Sequence, residues 1–211
     1  MSVTEKILLV LDIDETLVHS ISSVITEKLL PNSPIKPNYT AHSINIFLRP
    51  GVHEFLSECA KHFELALWSS GGTEYVQYIA NVVFRQHTFK FVWDIRRCTS
   101  YIPANRRQEL GYFDQFTPFN PYDSNVVDIK QLRKVSKAFK IPLAKILIVD
   151  DTPAKSIKNY GNAIYIRPFN ISSIIRGDDN ELEKLLKYLI TLKNVDNVRY
   201  IEKRYWYEEI L

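Results

Sequence analysis

The sequence predicts an α/β layered fold, a parallel sheet flanked by helices, on three observations. Two segments, KILLVLDID (6–14) and KILIVDDT (145–152), each place a lysine before a short apolar run that ends in acidic residues. Such runs read as strands buried on both faces, the mark of a parallel sheet. A third run, FELALWSS (63–70), ends in Ser69 and Ser70 instead. Between these strands the periodicity changes: Val52, Phe55, Leu56 and Cys59 follow RPG, and Val76, Ile79, Ala80 and Val83 follow GGT, both at helical spacing. Strands alternating with helices imply right-handed crossovers. In open sheets of this kind ligands bind beyond the carboxyl ends of the strands, where all three polar clusters fall.

Two segments interrupt the alternation. Residues 20–49 contain EKLLPNSPIKPNYT and then the alternating SINIFLR, which predicts a hairpin or flap beside the site. Residues 99–125 are rich in Pro, Asn and aromatics, and a loop that long in a compact domain is usually functional. Near the end, Leu182, Leu185, Leu186, Leu189 and Leu192 mark an amphipathic helix expected to pack on the sheet.

With 211 residues, 45% hydrophobic and 24% charged, the chain is long enough to bury about 70% of its unfolded surface. A single domain over 1–211 is expected, with insertions at about 20–49 and 99–125. The net charge of +3 comes from 27 basic residues interspersed with 24 acidic ones, so direct nucleic-acid binding is not expected. Cys59 and Cys98 cannot build a disulfide framework and match no metal-ligand spacing. The opening MSVTEK has no signal-peptide pattern, and no apolar run reaches the ~20 residues of a membrane span. The expectation is an intracellular protein of the cytoplasm or nucleus that does not engage a membrane.

If Asp12, Asp14, Asp150 and Asp151 converge, carboxylates about 4 Å apart repel by about 4 kcal/mol at an effective dielectric of 20, so a cation belongs among them. Oxygen ligands without His or Cys favour Mg²⁺, which keeps waters and recruits substrate phosphate. An EF-hand loop starting at Asp12 would need Gly where Leu17 stands and Glu where Ser23 stands. Two features suit a phosphate. Asp128 to Gln131 reads as a capping box that places Lys130 in the first turn of a helix, and Ser69 with Gly71 and Gly72 precedes another helix start. A metal, a carboxylate beside it and two anion-binding helix starts suggest phosphoryl transfer through an aspartyl-phosphate intermediate. From spacing alone other readings stay open. Asp150 and Asp151 also fit a helix cap before TPAKS, Lys130 fits a solvated face with Lys134, Lys137 and Lys140, and Ser69 fits an ordinary loop.

Taken together, LDIDETLVHS, LRPGVHEFL, ALWSSG, FVWDIRRCT, VVDIKQL and ILIVDDTPAKS occur in the order seen in carboxy-terminal-domain phosphatases of the haloacid dehalogenase superfamily, and the chain resembles that family over nearly its whole length. The resemblance implies a Rossmann-like parallel sheet flanked by helices, haloacid dehalogenase-like, with a small hairpin or loop insertion. A large cap is not expected, because neither the stretch from Thr16 to Ser69 nor that from Ser69 to Lys130 has room for one.

The resemblance further implies an Mg²⁺-dependent protein serine/threonine phosphatase, a phosphoric monoester hydrolase. Asp12 would be the nucleophile and Asp14 the general acid and then base. Mg²⁺ would be held by Asp12, the Asp14 main-chain carbonyl, Asp150 and Asp151. Ser69 and Lys130 would bind the phosphoryl group, and Thr16 would steady the loop. The implied partner is a phosphorylated protein, with the RNA polymerase II tail as a candidate. Arg96 and Arg97 lie near a family arginine that contacts substrate phosphate, in a register the sequence does not fix. Read from the residues themselves and not from the resemblance, the aromatics Tyr101, Tyr112, Phe113, Phe116 and Phe119 fit either the lining of the approach or, for several of them, core packing. Two alternatives come with this reading: a catalytically weak peptide-binding scaffold of the same fold, and a phosphatase of nucleic-acid ends or small metabolites.

Overall fold

A strand that is apolar on both sides can be satisfied only in the middle of a layered core, and β1 (Leu8–Leu11) is buried along its whole length. The computed structural model describes residues 6–101 and 126–210. After β1 come β2 (Val18–Ser22), α1 (Ser23–Leu29), β3 (Tyr39–Ala41), β4 (Ile44–Leu48), α2 (Val52–His62), β5 (Glu64–Trp68) and α3 (Thr73–Tyr78), which runs into a π-helical turn at Ile79–Val83. Then follow β6 (Val92–Trp93), β7 (Thr99–Tyr101), β8 (Val127–Ile129), α4 (Leu132–Phe139), β9 (Ile146–Asp150), β10 (Ala163–Tyr165), α5 (Ile171–Arg176) and α6 (Glu181–Leu192).

The central sheet has the order β10-β9-β1-β5-β6, with every pairing parallel. From β1 the chain builds outward through β5 and β6 on one side, then returns to build β9 and β10 on the other. The crevice above β1 and β9 is therefore a topological switch point. Alternation along β1 divides the core in two. Leu9 and Leu11 join a cluster with Phe55, Leu56 and Cys59 of α2, Val76 of α3 and Leu182, Leu185 and Leu189 of α6. Leu8 and Val10 join Trp68, Phe91, Trp93 and, from α4, Leu132 and Val135 on the opposite face. The sheet is thus covered on both sides, as its unbroken apolar strands require.

The segment expected as a hairpin or flap is a three-stranded antiparallel sheet, β2-β4-β3, carrying the short helix α1. It begins at Val18, two residues before the expected boundary. β4 leads through Arg49 and Pro50 to Gly51, whose φ of +72° starts α2 in a backbone conformation that glycine adopts without strain. Of the expected 99–125 insertion, β7 pairs antiparallel with β8. Tyr112, Phe113, Phe116 and Phe119 lie outside the described residues.

Candidate active site

The site follows from register. β1 and β9 pair so that Leu11 lies beside Val149, and the next residue on each strand is an aspartate. The Asp12 N–H donates to the Val149 carbonyl at 3.0 Å, and both Asp12 and Asp150 are fully buried. Two adjacent buried carboxylates need a counter-charge, and Lys130 supplies it. Its Nζ lies 2.6 Å from Asp12 Oδ1 and 2.8 Å from Asp150 Oδ2, with no exposure of the side chain. Burial alone would push this ammonium down, but the two carboxylates hold it well above the ordinary lysine range. Burial and the Asp12 charge push Asp150 up to about 6 despite Lys130. On the other side of Asp12, Lys155 Nζ stands 3.7 Å from Oδ2.

Lys130 does not occupy the first turn of a helix, as the Asp-x-x-Gln pattern led us to expect. Residues 127–129 are a strand, and the helix begins at Leu132. The Asp128 carboxylate, carried by that strand, accepts a bond from Ser100 Oγ across the β7–β8 pair instead of capping the helix. Asn159 does the capping from outside: its Oδ1 accepts from the Leu132 N–H, while its Nδ2 donates to the Lys130 carbonyl at 2.6 Å. The Lys130 N–H donates to the Lys155 carbonyl. The ammonium is therefore aimed by a strand end pinned at both main-chain groups.

Asp14 turns away from Asp12 and Asp150. Its Oδ2 accepts from Ser69 Oγ at 3.1 Å and its Oδ1 from the Tyr75 hydroxyl at 2.5 Å. Burial, and then the Asp12 charge, raise Asp14 above the usual carboxylate range. Ser69, at the end of β5, also accepts the Gly71 N–H at 2.8 Å. Gly71 has no room for a side chain, since a Cβ would stand 2.9 Å from the Tyr75 ring. This close approach brings the tyrosine over Asp14. Tyr75 is linked in turn to Ser20 Oγ of β2 at 2.6 Å. Thr16 is buried without a partner for its hydroxyl among the described residues, and its main-chain carbonyl accepts from Arg49.

Asp12, Asp150 and Asp151 can each offer an oxygen such that all three lie within 4.8 Å of one another. This set fits a hard divalent cation on this structure's own terms. Neither Asp12 oxygen accepts an aligned hydrogen bond, and Asp151 Oδ1 is buried with none. Among the described residues, Lys130 and Lys155 are the cations set against the carboxylates of Asp12, Asp150 and Asp151, which leaves the site short of positive charge. Asp151 is itself raised by burial and then by the Asp12 charge, while Thr152 Oγ1 donates to its Oδ2. Arg96 is committed to Asp94 through two short contacts, and the Arg97 guanidinium stacks 5.2 Å from the centre of the Trp93 ring. Sequence reasoning missed Tyr75, Lys155 and Arg49. Lys155, four residues after Asp151, was legible as a basic residue within ILIVDDTPAKS; Tyr75 and Arg49 carried no chemical signal of their own.

A model of the NLI interacting factor-like phosphatase family matches residues 7–199. The chain is similar to Phosphatase Herzog of Drosophila melanogaster, 28% identical over 194 residues that cover 90% of this chain and 45% of that protein. It is also similar to human carboxy-terminal domain RNA polymerase II polypeptide A small phosphatase 1, 26% identical over 92% of this chain and 62% of the relative. The chain thus spans 45–62% of the length of these two relatives. In three dimensions it resembles the fission yeast RNA polymerase II CTD phosphatase Fcp1, with a TM-score of 0.58 at 13% identity over 92% of this chain and 69% of that one. It also resembles a predicted phosphoglycolate phosphatase of Haemophilus somnus, with a TM-score of 0.50 at 14% identity over 89% of this chain and the whole of that one. These likenesses establish a haloacid dehalogenase-like α/β fold.

Proposed function

Because the chain belongs to the NLI interacting factor-like phosphatase family, we propose that it is an Mg²⁺-dependent phosphoprotein phosphatase acting on phosphoserine or phosphothreonine through an aspartyl phosphate on Asp12. One observation carries the reading: Asp12 and Asp14 leave the same strand end toward different partners. Asp12 faces two ammonium groups, and Asp14 faces the hydroxyls of Ser69 and Tyr75. A carboxylate attacking a phosphate dianion must be shielded from its charge, which Lys130 and Lys155 supply. A carboxyl whose affinity for protons is raised by burial suits an acid.

In this mechanism an Asp12 oxygen attacks phosphorus as the bond to the substrate oxygen breaks, and Asp14 gives its proton to that oxygen. Asp14, now a carboxylate, takes a proton from a water that attacks the phosphoryl group. The bond to Asp12 breaks, inorganic phosphate leaves, and both aspartates return to their starting states. Ser69 and Lys130 bind the phosphoryl oxygens. Asp12, the Asp14 main-chain carbonyl, Asp150 and Asp151 would hold Mg²⁺, which when bound offsets negative charge on the transferring group.

The stretch from Thr16 to Ser69 holds only the small antiparallel sheet, α1, α2 and β5, which supports a site reached by a side chain of another protein. The names of the human and fission yeast relatives make a phosphorylated RNA polymerase II tail the first substrate to try. The experiment is phosphate release from such a phosphoserine peptide with and without Mg²⁺, for the native protein and Asp12→Asn. Turnover that needs both the metal and Asp12 is expected. Absence of turnover on this peptide and on an aryl phosphate, by folded protein that still binds the peptide, would replace the enzyme reading with the scaffold.

A further inference from the structure

We propose that Arg49 and Asp179 form a clamp that fixes the backbone just after Asp14, so that both are positioning residues for the reaction. The inference rests on the reading of this loop as the catalytic one. Glu15 has a φ of +59°, a left-handed conformation uncommon for a residue with a side chain and favoured here by its surroundings. What favours it is visible. The Glu15 carbonyl accepts the Phe169 N–H at 2.7 Å and an Arg49 Nη1 donor at 3.4 Å, and the Thr16 carbonyl accepts Nη1 at 3.1 Å. Arg49 is held from the other end by Asp179, Nε to Oδ1 and Nη2 to Oδ2, both at 2.9 Å. Its Nη2 also donates to the Arg167 carbonyl at 2.8 Å, and the guanidinium lies 5.5 Å from the centre of the Phe169 ring.

The Arg49 side chain is fully buried and that of Asp179 is 10% exposed. One planar cation thus ties three segments, its own, 167–169 and the turn at Asp179, to the loop between β1 and β2. A lysine has the charge but not the fork, and could not meet a bidentate carboxylate and carbonyls on two further segments at once. The clamp holds main chain next to Asp14 rather than touching substrate, and small displacements of an acid from its leaving group are costly in rate. Sequence distance hid it: Asp179 lies in the GDDN turn before α6, 130 residues from Arg49.

The test compares Arg49→Lys, Asp179→Asn and Asp179→Glu with the native protein on the phosphopeptide and Mg²⁺, with amide hydrogen exchange alongside. We expect kcat to fall about tenfold or more in Arg49→Lys and Asp179→Asn with KM held within about threefold, and Asp179→Glu to recover much of the loss. The N–H groups of Glu15, Leu17 and Val18, which close the loop through bonds to Val18 and Ile13 carbonyls, should exchange faster in Asp179→Asn while β9 stays protected. Unchanged kcat in folded Arg49→Lys would overturn the clamp, as would a loss of protection spread equally over β9. If the native protein shows no turnover that depends on Asp12, the functional reading fails. The exchange measurement then decides the clamp alone, and unaltered loop exchange in Asp179→Asn refutes it.

Discussion

Replacing Lys130 by methionine keeps most of the length and the apolar stem of the side chain and removes the ammonium, with its charge and its donors. The ammonium makes contacts of 2.6 and 2.8 Å to Asp12 and Asp150, each about 6 kcal/mol of gross attraction at an effective dielectric of 20. Burying the three groups offsets most of that, and removing one partner of a buried ion pair typically costs about 3–5 kcal/mol because the remaining charge is left uncompensated. For a chain of this size the loss corresponds to a fall in Tm of roughly 6–20 °C. The assay is thermal and urea unfolding of metal-free native and Lys130→Met proteins at pH 7 and pH 5. The deficit should be full at pH 7 and shrink toward pH 5, because Asp150, held up to about 6, takes a proton in that window and no longer needs the lysine's charge. A variant within 1 kcal/mol of native at pH 7, or a deficit equal at both pH values, would refute the assignment of Lys130 as the counter-charge of the site.

The metal-free native protein should itself lose stability as pH rises from about 4 to about 6. Asp150 is held up to about 6 when folded, so the native state binds more protons than the unfolded chain in that window. Added Mg²⁺ should reverse the loss at pH 7, read as a rise in Tm. Tyr75→Phe removes a donor that stabilises the Asp14 carboxylate, so Asp14 should rise further and the alkaline limb of kcat should move to higher pH. A limb that stays in place would show that the tyrosine does not act through Asp14.

The strands were legible because burial on both faces forces unbroken apolar runs, and β1, β5 and β9 stand where KILLVLDID, FELALWSS and KILIVDDT predicted. The acids were legible for the same reason, since charge at the end of such a run is conspicuous. Lys130 was harder. Asp-x-x-Gln is a local pattern, and Asp128 was drawn instead into a strand pair with Ser100, 28 residues away. Tyr75 reads as one more aromatic on a helix; its contact with Asp14 depends on the missing side chain of Gly71. Arg49, in RPG, looks like a surface charge before a helix, and only the folded chain buries it. What sequence reasoning missed were partners set by tertiary approach, which leave no periodic trace.

The pairing of β1 with β9 joins residues about 138 positions apart. During synthesis the ribosome releases Asp12 and Asp14 long before Lys130, Asp150 or Asp179 has been made. Pairings this distant form late, after most of the intervening chain is ordered. A nascent or truncated chain ending before β9 would carry Asp12 and Asp14, yet lack both the strand that pairs beside them and Lys155. A chain that stops short of β9 thus lacks Asp150, Asp151 and Lys155, half of the proposed centre.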